Sequence, residues 1–272
     1  RKGSGKVKAY NRGMDLGLKG KIAMVAAGTR GIGLAAAKSL AAEGATVSVC
    51  GLDPDRIKEA ASALGAPHMA VRCDVASKAA IESWFAATRK ALGDPHILVT
   101  NTGGPPAGPL SELSEEQWAK GFENTVMNVV RMVALASPAM KAARWGRIVH
   151  ITSLVAKDPD PLLPVSSTLR AGLSAMCRLS ARELGPHGVT VNCVLPGSTE
   201  TDRQTHLLEV RAQKSGRSVA EERRLAESAV PVGRLAKPAE IGDVVSFLCS
   251  ERAGFINGAL VVVDGGMSRG PG

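Results

Sequence analysis

The order of strand-like and helix-like segments is the feature that most constrains the fold of this chain. Short apolar runs alternate with longer alanine-rich helical patterns, as in KIAMVAA followed by GLAAAKSLAAEG and TVSVCG followed by DRIKEAASALG. Each unit takes about 25 to 30 residues, which suits a strand, a crossover helix and the next parallel strand. The alternation therefore predicts one parallel sheet covered by helices on both faces.

The second half of the chain continues this pattern. A long helical region at 114–144 precedes GRIVHITS, a helix over 164–185 follows, and VTVNCVLPG and ALVVVDGG supply two further strands. Together with the earlier runs, including HMAVRCDV and HILVTN, these segments predict seven strands in a doubly wound α/β fold. Because single α/β domains routinely reach 272 residues, we expect one domain over residues 14–272.

The segment at 198–236 interrupts the alternation. It is rich in charge and its pattern is that of one or two amphipathic helices. A long insertion after the carboxyl end of a strand lies where open α/β sheets bind ligands, so we interpret 198–236 as a substrate lid. A solvated helical excursion and an oligomer contact are the alternatives.

The positive charge of the chain is concentrated at its start. Five of the net nine positive charges lie in residues 1–13, which contain no acid. This segment, RKGSGKVKAYNRG, has no apolar periodicity and precedes Met14. We interpret it as a basic tail outside the fold, and a nucleic-acid partner is not expected.

The cysteines and the hydropathy indicate the compartment. The five cysteines are scattered, with neither a CxxC motif nor a histidine at ligand spacing, so we expect reduced core residues and no metal site. No apolar run approaches the roughly 18 residues that span a bilayer. We therefore expect a cytoplasmic protein with no membrane partner.

A glycine-rich turn in MVAAGTRGIG lies between the first strand and the first helix. There, backbone amides and the positive end of the helix can meet the phosphates of a dinucleotide. Gly28, Gly31 and Gly33 do not fit GxGxxG, but the turn fits the looser TGxxxGxG, with Ala26 and Ala27 in its first two positions. The turn therefore predicts a Rossmann-type dinucleotide site.

Five motifs in the same order along the chain resemble the short-chain dehydrogenase/reductase family. They are the glycine-rich turn, CDV, VTNTGG, LPGSTETD and VDGG, and the resemblance runs from Leu16 to the end of the chain. It implies the cofactor-binding residues Gly28, Thr29, Arg30, Gly31, Ile32, Gly33, Asp74, Val75, Asn101, Gly103, Arg170, Pro196, Gly197 and Thr201.

The choice of cofactor depends on the end of the second strand, where NAD enzymes place an acid near the adenosine ribose. Gly51 occupies that position, and Asp53 lies two residues beyond it. By the family resemblance, Arg30 in the glycine-rich turn indicates the additional phosphate of NADP. We therefore favour NADP(H) over NAD(H), with Arg56 either a helper or an ordinary helix-surface residue.

The catalytic positions depart from the family pattern. The resemblance implies a serine that polarises the substrate oxygen, a tyrosine acid or base, a lysine that holds the ribose, and a supporting asparagine. GRIVHITS places Ser153 on the serine position, and the usual spacings place Ser166, Arg170 and Thr125 on the tyrosine, lysine and asparagine positions.

No other residue restores the tyrosine, because the only one, Tyr10, lies in the basic tail. An arginine stays protonated near neutrality, so Arg170 is a poor general acid but can supply positive charge. Lys157 is either a proton donor or a solvated loop lysine, whereas we expect His150 in the core and His206 on the surface.

The GGPP loop and the SxxxR replacement resemble a divergent branch labelled 3-oxoacyl-[acyl-carrier-protein] reductase-like. This resemblance implies an NAD(P)(H)-dependent carbonyl reductase or alcohol dehydrogenase that acts on a small carbonyl or alcohol and forms a homotetramer or homodimer. The alternative is a cofactor-binding homologue of little or no activity that acts as a sensor or partner subunit.

Overall fold

A computed structural model describes residues 14–268. The basic tail predicted at 1–13 lies outside the described residues. The strands are β1 Ile22–Val25, β2 Thr46–Gly51, β3 Met69–Arg72, β4 Ile97–Thr100, β5 Gly146–Ile151, β6 Val189–Pro196 and β7 Leu260–Val263. All neighbouring pairs are parallel, in the order β3-β2-β1-β4-β5-β6-β7. The predicted seven-stranded, doubly wound parallel sheet is confirmed.

Helices cover both faces of this sheet. Their bounds are α1 Gly31–Ala42, α2 Pro54–Leu64, α3 Lys78–Ala91, α4 Glu115–Phe122, α5 Asn128–Ala143, α6 Pro164–Leu184, α7 Asp202–Ser215, α8 Val219–Ser228 and α9 Pro238–Leu248. The helix expected at 164–185 is therefore present as α6. Within the described residues, no helix is both long and apolar enough to cross a membrane.

The core consists of two apolar layers, one on each face of the sheet. Alternate residues of β1 enter different layers, since Ala23 and Val25 pack with α1 and α9, whereas Met24 packs with α3 and α5. This period of two follows from the pleat of a strand. All five cysteines are buried free thiols, as predicted.

The helical region expected at 114–144 is interrupted. A π-helical turn at Glu123–Met127 joins α4 to α5, and it contains Thr125. Such turns shift the side chains that follow relative to a continuous helix. The sequence pattern predicted helix here but not this interruption.

The charge-rich segment at 198–236 contains two helices, α7 and α8. Ser218 begins α8 with a capping box, in which its hydroxyl accepts from the Glu221 N–H and the Glu221 carboxylate accepts from the Ser218 N–H. Gly216 ends α7 at a φ of +72°, a conformation that glycine adopts without strain. Two amphipathic helices are therefore what this pattern encodes.

Candidate active site

The glycine-rich turn lies at the carboxyl end of β1, where the strand order reverses between β1 and β4. Gly28 donates its N–H to the Cys50 carbonyl at 2.9 Å. A Cβ at Gly28 would lie 2.9 Å from both the Val25 carbonyl oxygen and Val49 Cβ. Only glycine lets the turn pack this closely onto the strands.

The first turn of α1 faces the same crevice. Arg30 precedes the helix and makes no side-chain capping hydrogen bond, and no acid lies in the first turn. A Cβ at Gly33 would lie 2.9 Å from Asn101 Nδ2, so the end of β4 packs directly on the turn. The amides at the start of α1 therefore suit a phosphate group.

The segment after β6 closes the crevice from the other side. A Cβ at Gly31 would lie 3.4 Å from Thr201 Cγ2, and one at Gly197 would lie 2.8 Å from Asp264 Cβ. Thr201 also caps α7 by accepting from the Gln204 N–H at 3.2 Å. Motifs far apart in sequence therefore meet at one edge of the sheet.

The other predicted cofactor residues surround this crevice. Asp74 lies exposed after β3 and accepts the Ala76 N–H at 2.9 Å, while its neighbour Val75 packs against the core. Ile32 packs on the other core layer, Gly103 is exposed in the loop after β4, and Pro196 ends β6. The close-packed glycines of the turn and the free amides at the start of α1 are chemically suited to the phosphates of a dinucleotide.

The end of β2 offers no carboxylate to an adenosine ribose. Gly51 has no side chain, and a Cβ there would collide with Thr29 Oγ1. The next acid along the chain, Asp53, caps α2 by accepting the N–H groups of Asp55 and Arg56. Asp53, two residues beyond the position where NAD enzymes place an acid, is therefore already engaged as a helix cap.

Two arginines converge beside this strand end. Arg30 Nη1 lies 3.0 Å from Asp202 Oδ2, and Arg56 Nη2 lies 4.0 Å from the same oxygen. All three side chains are substantially exposed, so these pairs contribute little to stability. Asp202 was not singled out from the sequence, because only the fold brings the start of α7 next to the glycine-rich turn.

Ser153 follows β5 at the same edge of the sheet. Its Oγ accepts the Val155 N–H at 3.4 Å and begins a short 3₁₀ turn at Leu154–Ala156. Because this bond uses an acceptor site of the hydroxyl, the Ser153 proton remains able to donate. The side chain is half-buried, as the polarising group of a carbonyl site should be.

Arg170 and Ser166 form one buried unit on α6. Arg170 Nε donates to Ser166 Oγ at 3.1 Å, and Nη1 donates to the carbonyl of Thr152 at 2.7 Å and to that of Ile151 at 3.3 Å. Arg170 is 5% exposed and Ser166 6% exposed. Burial, and next the charge of Arg203, lower the pKa of Arg170 to about 10. The protonated guanidinium of Arg170 thus contacts the backbone of Thr152, next to Ser153.

Thr125 lies within the π-helical turn. Its Oγ1 is buried and has no hydrogen-bond partner among the described residues. A buried hydroxyl without a partner costs about 1 to 3 kcal/mol, so such groups are often satisfied by ordered water. The structure therefore places a free polar atom at the position where the family has its supporting asparagine.

The alternative proton donors lie in different surroundings. His150 is fully buried on β5, where its Nδ1 bonds with Thr100 Oγ1 at 2.8 Å, and burial lowers its pKa to about 4. His206 lies exposed on α7, with Nδ1 3.7 Å from Glu209 Oε2. Lys157 is half-buried on the loop after Ser153. The expectations of a core His150 and a surface His206 are confirmed.

Arg203 is a residue of this region that the sequence did not single out. It lies in the first turn of α7, and its Nη2 donates to the Pro105 carbonyl of the GGPP loop at 2.8 Å. Burial lowers its pKa. Its position after the LPGSTETD motif was the only available signal, because one more arginine in a charge-rich helix is unremarkable.

Comparison with known proteins agrees with this geometry. A family model described as enoyl-(acyl carrier protein) reductase matches residues 26–268. The 3-oxoacyl-[acyl-carrier-protein] reductase FabG of Aquifex aeolicus is 33% identical over 93% of this chain and 100% of that protein. The Escherichia coli FabG is 33% identical over 93% of this chain and 99% of that protein.

Solved structures show the same fold. L-sorbose reductase from Gluconobacter frateurii, complexed with NADPH and L-sorbose, has a TM-score of 0.89 and 30% identity over 95% of this chain and all of that one. A short chain dehydrogenase/reductase family protein has a TM-score of 0.81 and 34% identity over 93% of this chain and 98% of that one. The chain therefore belongs to the branch of the short-chain dehydrogenase/reductase family that is similar to 3-oxoacyl-[acyl-carrier-protein] reductases, and this membership makes it an NAD(P)-dependent oxidoreductase.

Proposed function

We propose that this chain is an NADP(H)-dependent carbonyl reductase or alcohol dehydrogenase in which Ser153 polarises the substrate oxygen and Ser166 and Arg170 replace the family's tyrosine and lysine. The observation that carries the proposal is the 3.1 Å hydrogen bond from Arg170 Nε to Ser166 Oγ. It fills an acceptor site of Ser166 with a charged donor, so the Ser166 hydroxyl is left to donate its own proton.

NADP(H) suits the crevice beside the glycine-rich turn. Gly28, Gly31 and Gly33 would hold its phosphates against α1, and Arg30 with Arg56 would hold the additional adenosine phosphate. Bound NADPH would supply a hydride to a carbonyl carbon. The engaged Asp53 and the absent side chain at Gly51 support NADP(H) over NAD(H).

The protein groups act on the carbonyl oxygen. Ser153 donates a hydrogen bond to that oxygen as it gains negative charge, and the buried Arg170 makes the surroundings positive. Ser166 is too short and too weak an acid to replace a tyrosine directly, so it orients a water that delivers the proton. We place Thr125 as a second polar group for that water, because its hydroxyl is buried without a partner.

The test is single-turnover oxidation of NADPH by the purified chain with a broad panel of ketones and aldehydes. We expect Ser153→Ala to lower the rate about 10²- to 10³-fold, as removal of an oxyanion donor does. Ser166→Ala should cost about tenfold or more. Ser167→Ala is the matched control, because that neighbouring hydroxyl donates to the Leu163 carbonyl at 2.8 Å. No consumption beyond the enzyme-free rate, with NADPH shown to bind, would contradict the proposal.

The replaced catalytic positions also favour a second candidate, a cofactor-binding protein without useful redox activity that acts as a sensor or partner subunit. The double variant Ser166→Tyr, Arg170→Lys separates the two. Gain of activity from an inactive wild type supports the second candidate. An active wild type that the variant does not surpass argues against it.

The lid and the assembly belong to the same proposal. Arg203 and Arg211 of α7 reach Pro105 and Asp160 on two other loops, which supports 198–236 as a substrate lid. Exposed Val130 on α5 and Leu179 on α6 support a homo-oligomer through these helices. Light scattering of a Leu179→Glu variant tests the assembly, which should dissociate. The cytoplasmic location expected from the sequence is kept as part of this proposal.

A further inference from the structure

Two guanidinium groups at the proposed substrate site have no acidic partner. Arg170 donates to Ser166 Oγ and to two backbone carbonyls, and Arg203 donates to the Pro105 carbonyl. Among residues 14–268, neither arginine forms an ion pair with a carboxylate. The acceptors given for these two guanidinium groups are a hydroxyl and backbone carbonyls, which carry no net charge.

Three acids of the surrounding segments are already paired with other cations. The three pairs are Asp160 with Arg211 at 2.7 Å, Glu112 with Lys214 at 3.8 Å, and Asp202 with Arg30 at 3.0 Å. Asp160 and Glu112 are thus each paired with a cation of α7. Arg170 and Arg203 have no such pair among residues 14–268.

The position of Arg203 is fixed by the GGPP loop. An ideal Cβ at Gly104 would lie 2.8 Å from both Nε and Nη2 of Arg203, so the guanidinium packs against the glycine backbone. Gly104 follows Asn101 by three residues, in the loop that leaves the crevice. A side chain at Gly104 would displace the guanidinium, which therefore depends on this glycine for its place.

Both arginines are partly or wholly removed from water, which raises the benefit of an anionic partner. Burial lowers the pKa of each, and the charge of Arg203 lowers that of Arg170 further. The positive charge of Arg203 therefore acts on Arg170. An anion bound at Arg203 would offset that charge.

We propose that Arg203 is a specificity-determining residue that binds a carboxylate carried by the substrate, so that the substrate is an oxo acid or the corresponding hydroxy acid. A guanidinium presents parallel N–H donors that match the two oxygens of a carboxylate. Arg203 keeps donors for this purpose, since one N–H is used on Pro105. The inference rests on the proposed reductase function for the placement of the carbonyl at Ser153.

The experiment compares the binding and turnover of oxo acids with those of their uncharged amides. The full chain saturated with NADP⁺ is titrated by calorimetry with 2-oxobutanoate, 3-oxobutanoate and 4-oxopentanoate, and with the primary amide of each. An amide has nearly the shape of the acid but no charge. The same pairs are then used as substrates with NADPH.

We expect at least one acid to bind about tenfold or more tightly than its amide, a difference typical of a partly desolvated ion pair. Arg203→Met should abolish this preference while changing amide binding less than about threefold, and Arg203→Lys should retain part of it. Arg224→Met is the matched control, because it removes the same charge from an exposed residue of α8. It should leave the preference intact.

Four outcomes would overturn the inference. They are equal binding of every acid and amide by the wild type, equal loss of both in Arg203→Met, stronger binding of dihydroxyacetone phosphate than of any oxo acid, and a loss of NADPH affinity that leaves the preference unchanged. The second outcome would mean that Arg203 only holds the GGPP loop in place through Pro105. The last would mean that Arg203 binds the cofactor.

The two proposals fail in different ways. If the wild type prefers acids in calorimetry but turns over none of them, the reductase function fails and the carboxylate site stands. If amides and acids are reduced equally well, the function stands and the carboxylate site fails. Circular dichroism of Arg203→Met and Arg203→Lys confirms that both variants fold.

Discussion

Ala27 holds the glycine-rich turn in an unusual conformation. It occupies the first glycine position of the turn, and its φ is +45°, in the left-handed region that residues with a Cβ rarely adopt. The family pattern has glycine there for this reason. The substitution to alanine therefore leaves the chain with local strain at its cofactor site.

We expect Ala27→Gly to stabilise the protein by about 0.5 to 1 kcal/mol. Relief of the left-handed penalty, roughly 1 to 2 kcal/mol, exceeds the added entropy of an unfolded glycine, about 0.5 to 1 kcal/mol. Urea unfolding measures the change. Ala26→Gly is the control, because the buried Ala26 has no positive φ and its replacement should destabilise. If Ala27→Gly lowers the free energy of unfolding, the positive φ of Ala27 does not strain the folded protein.

His150 should make the fold sensitive to acid. Burial lowers its pKa from 6.5 to about 4, so the unfolded chain binds a proton more readily than the folded chain between these values. Stability contributed by the neutral imidazole is present above pH 6.5 and falls as the pH drops towards 4, by about 1.4 kcal/mol per unit.

The variant His150→Asn tests this prediction, because asparagine can still bond with Thr100 but cannot titrate. Urea unfolding at several pH values between 7 and 5 should show a shallower loss of stability than in the wild type. Some slope will remain, since burial also lowers the pKa of His68 and His96. Parallel curves for wild type and variant would show that His150 is not responsible.

At the scale of elements, α7 contacts two loops around the site, the GGPP loop and the loop before α6. Besides Arg203 with Pro105, Arg211 Nη2 contacts Asp160 Oδ2 at 2.7 Å, and both of these side chains are about two-thirds or more buried. Asp160 also accepts the Leu162 N–H at 2.8 Å, which ties the pair to the loop before α6. Two residues of α7, Arg203 and Arg211, thus bind neighbouring loops.

We expect Arg211→Met to loosen the lid. The KM for a working substrate should rise about three- to tenfold with kcat little changed, because the catalytic residues are untouched. Cleavage of the 198–236 segment by a protease should become faster. The double variant with Asp160→Asn should resemble Arg211→Met alone, whereas additive losses would mean that the two side chains act separately.

The same elements show what the sequence could predict. Strand and helix periodicity is local, so it located the seven strands and α6, and glycine spacing located the turn at Gly28. The π-helical turn around Thr125 was not predictable, because its pattern is that of an ordinary helix. Neither were the contacts of Asp202 and Arg203, which depend on how α7 returns to the sheet edge after a long excursion.

On the scale of the whole molecule, the proposed cofactor site joins segments that are far apart in the sequence. The glycine-rich turn, the ends of β4 and β6 and the start of α7 meet at the edge where the strand order reverses. A dinucleotide that contacts all of them binds the folded state alone. Its binding free energy is therefore added to the stability of the entire domain.

This linkage predicts different thermal shifts for the two nicotinamide cofactors. NADPH at about one hundred times its Kd should add about 2.7 kcal/mol, which for a domain of this size raises the Tm by roughly 5 to 10 °C. NADH at the same concentration should shift the Tm less, because it lacks the phosphate that Arg30 and Arg56 would bind. Arg30→Ala should bring the NADPH shift closer to that of NADH and leave the NADH shift unchanged, since Arg56 would remain to bind the phosphate. Equal shifts by both cofactors in the wild type would instead mean that these arginines serve only to pair with Asp202, and that the NADP(H) preference is wrong.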